Sequence, residues 1–298
     1  MQKNVPKNIV LYHRNCPDGS TAGAIAFKKF GEAAAYIPCS YGDGLPEEII
    51  LNTEKNTTDV YILDFSFDID TLKSLDAEFK SVTILDHHES VMTEVTSIPG
   101  GHFANNKSGA SMAWDFFFDT TVPGFVKTIE TIDLFKDENN SLEDITAYIN
   151  SLDYSLETYT KLLETFDDKK PEYITEGKAI NRYVRLLEDM VTSDFDVVLF
   201  EGIVMPAVNI TFDVNTKSRI LAKLYKILPS VAMSYRWSNG KWKISIRSDR
   251  TYDVTQIAKK YGGGGHAGAS GFVIPAPNGE LFFKPLGKWS EYSKTINN

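Results

Sequence analysis

Asp86, His87 and His88 stand together at the end of a short apolar run, 81–85, and adjacent groups of these types can hold a divalent ion or contact a phosphate. Two other apolar runs end in a similar way. The segment NIVLYH, 8–13, ends at His13 and leads into a turn containing Cys16 and Asp18, and VYIL, 60–63, is followed by Asp64. Imidazole mixed with carboxylate suits a divalent transition metal, and a carboxylate can bridge two ions. Two ions about 3.5–4 Å apart would hold a hydroxide between them and clamp a phosphoryl group. Taken singly, each residue has a plainer explanation. Asp64 can cap a helix, His13 can be a hydrogen-bonded core histidine, and Asp86 can cap its own turn. Their recurrence at three strand ends is what points to a metal centre.

Such a centre requires strands whose carboxyl ends meet. Val82, Ile84 and Leu85 form a β-branched and apolar run of strand type, as do 8–13, 35–38 and 60–63. The Ala-rich stretch 21–30 and the stretch 68–79, with Ile69, Leu72 and Leu75 at helical spacing, read as helices. This β-α-β-α-β order predicts an α/β domain with a largely parallel sheet, whose chemistry sits beyond the carboxyl ends of the strands. Segments 108–118, 125–135, 142–152 and 156–166 extend that domain with helices, and 173–190 predicts a separate connecting helix. From 194 onward the pattern changes. DVVLFEG and IVMPAVNITF read as strands, 217–228 as a helix, and the runs flanking Asn239-Gly240 as a hairpin, because that pair supplies the positive φ of a tight turn. The expected division is 1–175 as the metal-binding domain, 176–193 as the connecting helix and 194–298 as a smaller α/β substrate-binding domain.

A chain of 298 residues is long enough for two domains. Its 31 Lys and Arg against 40 Asp and Glu give a formal charge of -9, which argues against coating long nucleic acid by bulk electrostatics. Two cysteines, Cys16 and Cys39, in no CxxC pair, are too few for a disulfide framework and fit a reducing cytoplasm. The apolar run near the start is too short for a signal peptide, and no window reaches membrane-span length.

A second constellation lies near the far end. Gly262, Gly263, Gly264 and Gly265 can present backbone N–H groups to a phosphate, His266 follows them, and Arg247 and Arg250 offer bidentate binding. Ser108, Gly109 and Ser111 can aim helix N–H groups at the first site or simply cap their helix. Trp114, Phe116, Phe117 and Phe118 read as core. Tyr235, Trp237 and Trp242 can stack on a base, although sheet packing explains them equally simply.

The blocks HRNCPDG, YILDFS, ILDHHES and GGGGHAGASGF, in this order, resemble the DHH phosphoesterase superfamily with its C-terminal DHHA1 domain. Its members include oligoribonucleases, phosphatases of adenosine bisphosphate, cyclic-dinucleotide phosphodiesterases, single-strand DNA exonucleases and family II pyrophosphatases. The resemblance implies that Asp18 binds one manganese, Asp64 bridges both ions, His87 is a metal ligand and His88 contacts the reacting phosphate. Asp86 would orient them, and Asp133, in ETIDLF, matches the fourth motif's aspartate. Arg247, the glycines and His266 would hold the substrate's end. One departure stands out. Relatives carry Asp-x-Asp where this chain has Cys16 two residues before Asp18, and His13 lies one position closer than in the pyrophosphatase-like pattern. Cys16 then replaces a carboxylate, or His13, Asp64 and water hold that ion, or Cys16 is a small residue buried under the turn.

These readings imply a metal-dependent phosphodiesterase cutting short single-stranded RNA or DNA oligonucleotides by a two-metal hydroxide mechanism. Two divalent ions are expected, manganese first, with magnesium, cobalt or zinc as alternatives. The absence of an added OB-type module favours short substrates. No membrane association is expected, and a homodimer stays open. Rival readings are a pyrophosphatase or polyphosphatase, a cyclic-dinucleotide or nucleoside-bisphosphate hydrolase, and a non-catalytic nucleotide-binding protein.

Overall fold

A computed structural model describes residues 6–46, 53–137, 139, 141–212, 214–228 and 230–296. The chain divides into two compact units, Met1–Asn181 and Arg182–Asn298.

In the first unit, β1 (Asn8–His13), β2 (Ala34–Cys39), β3 (Asp59–Leu63), β4 (Ser81–Asp86) and β5 (Gly101–Phe103) form one parallel sheet in the order β2-β1-β3-β4-β5. Both faces are covered, which explains the near-continuous apolar runs of its strands. Along β1, Ile9 and Leu11 face one core with Val60, Ile62, Val82 and Ile84, closed by Leu72 and Leu75 of α2 (Ile69–Glu78) and Val95 of α3 (Met92–Thr96). Val10 and Tyr12 face the other, with Leu63 and Leu85. That face is closed by α1 (Pro17–Phe30), α4 (Gly109–Phe117), α5 (Gly124–Asp133), α6 (Glu143–Asn150) and the first part of α7 (Leu156–Thr192).

The small residues of α1, Ala22, Ala24 and Ala26, are fully buried and let this helix pack closely. Gly23 is required there, since a Cβ would come within 2.9 Å of the Tyr12 ring. The order of this sheet reverses direction between β1 and β3, the switch point at which the carboxyl ends of an open sheet leave a crevice. His13 and Asp64 flank it.

The predicted break between helices 156–166 and 173–190 is absent: α7 is one helix of 37 residues with Pro171 inside it. Proline removes one intrahelical bond, but Tyr159, Leu162 and Phe166 before it and Tyr173 after it all belong to the same core. Tyr173 stacks on Tyr148 with ring centroids 4.6 Å apart, so burial continues across the proline and carries the helix with it.

The second unit is a mixed sheet, ordered β10-β11-β9-β8-β7-β6-β12. Its strands are β6 (Asp196–Phe200), β7 (Ile203–Asn209), β8 (Val231–Ser238), β9 (Lys241–Ser248), β10 (Gly264–His266), β11 (Ala269–Pro275) and β12 (Lys284–Lys288). The β8–β9 hairpin turns at Asn239 and Gly240, with φ of 50° and 73°, as their pairing in the sequence predicts. One face packs on α9 (Thr255–Lys260). The other packs on α8 (Val214–Ile227) and α10 (Trp289–Ile296). Glu188, fully buried near the end of α7, forms ion pairs with Arg219 at 2.7 Å and Lys223 at 3.0 Å, so its charge is compensated by two cations of α8.

Of the aromatic residues expected in cores, Trp114 and Phe117 are buried but Phe116 is exposed. In the hairpin, Tyr235 and Trp242 are buried in the sheet's core and Trp237 is exposed, its indole donating to the Ala276 carbonyl. Among the described residues no helix is long and apolar enough to cross a membrane.

Candidate metal centre

The centre is built on a backbone that only a supported turn can hold. Asp64 follows β3 with φ 65°, the left-handed region that a non-glycine residue rarely adopts. Its N–H donates to Leu85 O at 2.9 Å, fastening the turn to the end of β4. Gly109 lies directly over it, where a Cβ would come within 2.5 Å of the Asp64 Cβ. The carboxylate is completely buried.

Its two oxygens face different partners. Oδ2 lies 3.3 Å from His13 Nδ1, and Oδ1 lies 3.2 Å from His87 Nε2. Around it the ligand-type atoms fall into three overlapping sets, each within 4.8 Å: His13, Cys16 and Asp64; Asp18, His87 and Asp133; and Asp64, His87 and His88. His87 Nε2 lies 3.7 Å from Asp18 Oδ2 and 3.4 Å from Asp133 Oδ2. All six candidate metal ligands, His13, Cys16, Asp18, Asp64, His87 and Asp133, are therefore gathered at this one end of the sheet.

Asp18 is held from the opposite side. Gly109 and Ala110, at the N-terminus of α4, donate to its two oxygens at 2.6 and 3.0 Å. The helix N-terminus thus points its free N–H groups at a protein carboxylate. This refines the expectation for that helix: Gly109 and Ala110 serve Asp18, whereas Ser108 caps Ser111 N–H at 3.3 Å.

Asp86 has a different job. Its Oδ1 accepts from the backbone of His87 at 2.7 Å and of His88 at 3.1 Å, and lies 2.8 Å from His88 Nδ1. Its Oδ2 accepts from the Tyr41 hydroxyl at 3.4 Å. With both oxygens engaged, Asp86 shapes the turn and fixes His88, leaving His88 Nε2 as the nitrogen turned to other partners.

Tyr41 escaped the sequence reading. Its ring stands edge-on to His13 and His88, at 5.4 and 5.7 Å, and its hydroxyl reaches Asp86. The signal for it was positional, since β2 also ends at this edge and the next residues are Ser40 and Tyr41. Arg14 anchors that loop through Ser40 Oγ at 2.9 Å and the Asp43 carboxylate.

The electrostatics are those of a site short of positive charge. Burial works against the Asp64 charge, but the hydrogen bond with His13 and the adjacent His87 imidazole outweigh it and hold the carboxyl well below the usual range. Burial, then the charges of Asp64 and Asp133, push Asp18 well up. Burial and Asp64 raise Asp133 to about 6. The Cys16 thiol is also pushed up, by burial and the three carboxylates. Burial opposes charge on His88, yet the Asp86 hydrogen bond and the surrounding carboxylates raise it to about 9.

Asp64 Oδ1 and His87 Nε2 are buried without a hydrogen-bond partner among the described residues. Buried polar groups of that kind are costly unless something coordinates them. Mixed imidazole, carboxylate and thiol donors around two such atoms fit divalent ions.

In the second unit, His266 pairs with Ala269, which pairs with Arg247, so Arg247 and His266 project from one face across three strands. Arg247 donates to Ser218 Oγ at 3.2 and 3.1 Å and to Ile246 O at 3.0 Å. Arg250 adopts φ 69° beside Gly268. The N–H groups of Gly262 and Gly263 are spent closing α9, on Lys259 O and Ala258 O, while Gly264 and Gly265 enter β10 beside the exposed His266.

A family model described as the DHHA1 domain matches residues 208–290. An uncharacterized protein of Acanthamoeba polyphaga mimivirus is 27% identical over 94% of this chain and 70% of its own length. Among solved structures, exonuclease RecJ bound to manganese superposes with a TM-score of 0.50 at 14% identity, covering 90% of this chain and 86% of its own. A pGpG-specific phosphodiesterase from Vibrio cholerae superposes at 0.45 with 12% identity, covering 97% and 96%. Residues 208–290 thus match the DHHA1 domain, and the chain shares its fold with exonuclease RecJ.

If these groups bind metal, protons on Asp133 and His87 must leave first. Manganese affinity measured by titration calorimetry should fall as pH drops through about 6, where Asp133 regains its proton, with protons released on binding. An affinity unchanged between pH 5 and 8 would contradict this site.

Proposed function

We propose that the protein is a metal-dependent phosphoesterase that hydrolyses phosphodiester bonds in short single-stranded oligonucleotides. The observation that carries this reading is the division of the Asp64 carboxylate, one oxygen toward His13 and the other toward His87. A single carboxylate shared in this way is what a two-ion centre requires. The fold shared with a manganese-bound exonuclease supports manganese as the ion. The acidic balance of the chain, with cations available only locally, supports a short substrate over a long one.

His13, Cys16, Asp18, Asp64, His87 and Asp133 would hold the two ions. Bound there, the ions supply an activated water and neutralise charge on the phosphoryl group. The chain's own contribution is positioning and proton control. Asp18 is pre-oriented by the α4 N–H groups, so it pays no reorganisation cost on binding. Asp86 accepts a hydrogen bond from His88 Nδ1–H, and the imidazolium, favoured up to about pH 9, directs Nε2–H outward. His88 is 28% exposed, so that proton is available to a phosphoryl or leaving oxygen. Arg247, Arg250, His266 and the turn formed by Gly262, Gly263, Gly264 and Gly265 would bind the terminal nucleotide, Arg247 as a charge-assisted donor.

Incubation of end-labelled RNA and DNA of graded length with manganese tests the reading. Dinucleotides and short oligomers should be cleaved in preference to long strands. Asp64→Ala should lower turnover by at least about 10²–10³-fold. Cleavage of polyphosphate alone, or full turnover by Asp64→Ala, would overturn it. Arg247→Ala should raise the dinucleotide KM by about 10–100-fold, the loss of a charge-assisted hydrogen bond of about 1.5–3 kcal/mol, with a smaller change in kcat. An unchanged KM removes Arg247 from the binding site.

A further inference from the structure

We propose that the Cys16 thiolate is a metal ligand, and that the His13–Cys16–Asp64 position therefore selects a thiophilic ion, zinc or cobalt, over manganese. The inference rests on the reading above only in that divalent ions bind at this end of the sheet. It adds that the two positions are chemically unequal.

Several observations converge on Cys16. Its sulfur lies within 4.8 Å of a ring nitrogen of His13 and a carboxylate oxygen of Asp64. It occupies the N-cap of α1, where Ser, Thr, Asp or Asn would stabilise the helix, and its side chain makes no capping hydrogen bond. The residue type thus forgoes the local role that the position offers. The turn is built to keep His13 and Cys16 together: Asn15 takes φ 55°, and any side chain at Gly19 would meet His13 O at 2.2 Å. Cys39 shows the contrast, since its thiol is buried and donates to Ile37 O at 3.7 Å. Cys16 is a free thiol with part of its surface open.

The two donor sets differ in softness. Asp18, His87 and Asp133 provide two carboxylates and an imidazole, a hard set that suits manganese. Sulfur, nitrogen and a single oxygen from Cys16, His13 and Asp64 suit zinc or cobalt. Three protein ligands of this kind also leave a fourth position for water or substrate, as in catalytic zinc sites. Asp64 belongs to the soft set, but its other oxygen lies 3.2 Å from His87 Nε2 of the hard set, so it would link one hard and one soft ion. Binding replaces the thiol proton with a sulfur–metal bond, and the proton passes to solvent.

The test uses the full chain stripped of metal and titrated with cobalt. A near-ultraviolet sulfur-to-cobalt charge-transfer band should grow with one equivalent of cobalt and be absent from Cys16→Ser. Zinc affinity should fall at least about tenfold in Cys16→Ser. Manganese binding at the hard position should persist. Cys16→Asp should regain binding there with the preference shifted from zinc to manganese, and it keeps the test decisive should the serine variant fail to fold. Cobalt binding without the band, or an unchanged zinc-to-manganese ratio in both variants, overturns the role of Cys16 while leaving the metal centre intact. Absence of any bound ion in the unaltered chain overturns both.

Discussion

A buried carboxylate with a separate imidazole against each oxygen is the feature on which the first unit's chemistry depends. Asp64 is wholly inaccessible, held in a left-handed backbone, and clamped by Leu85 O on one side and Gly109 on the other. A charge so placed is expensive unless cations or strong donors surround it. His13 and His87 supply part of that compensation, and the unpartnered Oδ1 shows that it is incomplete. Strain and unmet polar demand at one residue are characteristic of a site kept for function.

The fold explains why these groups meet. With order β2-β1-β3-β4-β5 and every strand parallel, all carboxyl ends share one edge, and the reversal between β1 and β3 opens a crevice there. The remaining ligands come from helices on the same face. Asp18 rides on the first turn of α1, and Asp133 ends α5, the helix that packs beside α4. The α4 N-terminus then offsets part of the Asp18 charge through two backbone N–H groups, and among the described residues no lysine or arginine pairs with Asp18, Asp64 or Asp133.

Much of this was legible in the residue pattern. The apolar runs ending at His13, Asp64 and Asp86 gave the strands within a residue, since a strand covered on both faces reads as continuous hydrophobicity. Asn239-Gly240 marked its hairpin because few pairs tolerate two positive φ angles. What escaped was long-range or local to a side chain. Tyr41 belongs to no motif and is recruited only because β2 ends beside β1. The pattern read 156–166 and 173–190 as two helices, yet burial on both sides of Pro171, which lies between them, overrides the local penalty and keeps one helix. The glycine run suggested four free N–H groups, but two of them complete the preceding helix, a competition that composition alone does not reveal.

The central claim is that Asp64 is shared between two ions. Counting bound metal by elemental analysis after equilibration with manganese and zinc tests it directly. The account predicts two equivalents per chain in the unaltered protein and no more than one in Asp64→Ala that remains folded. One equivalent in the unaltered chain, or two in the variant, would contradict it.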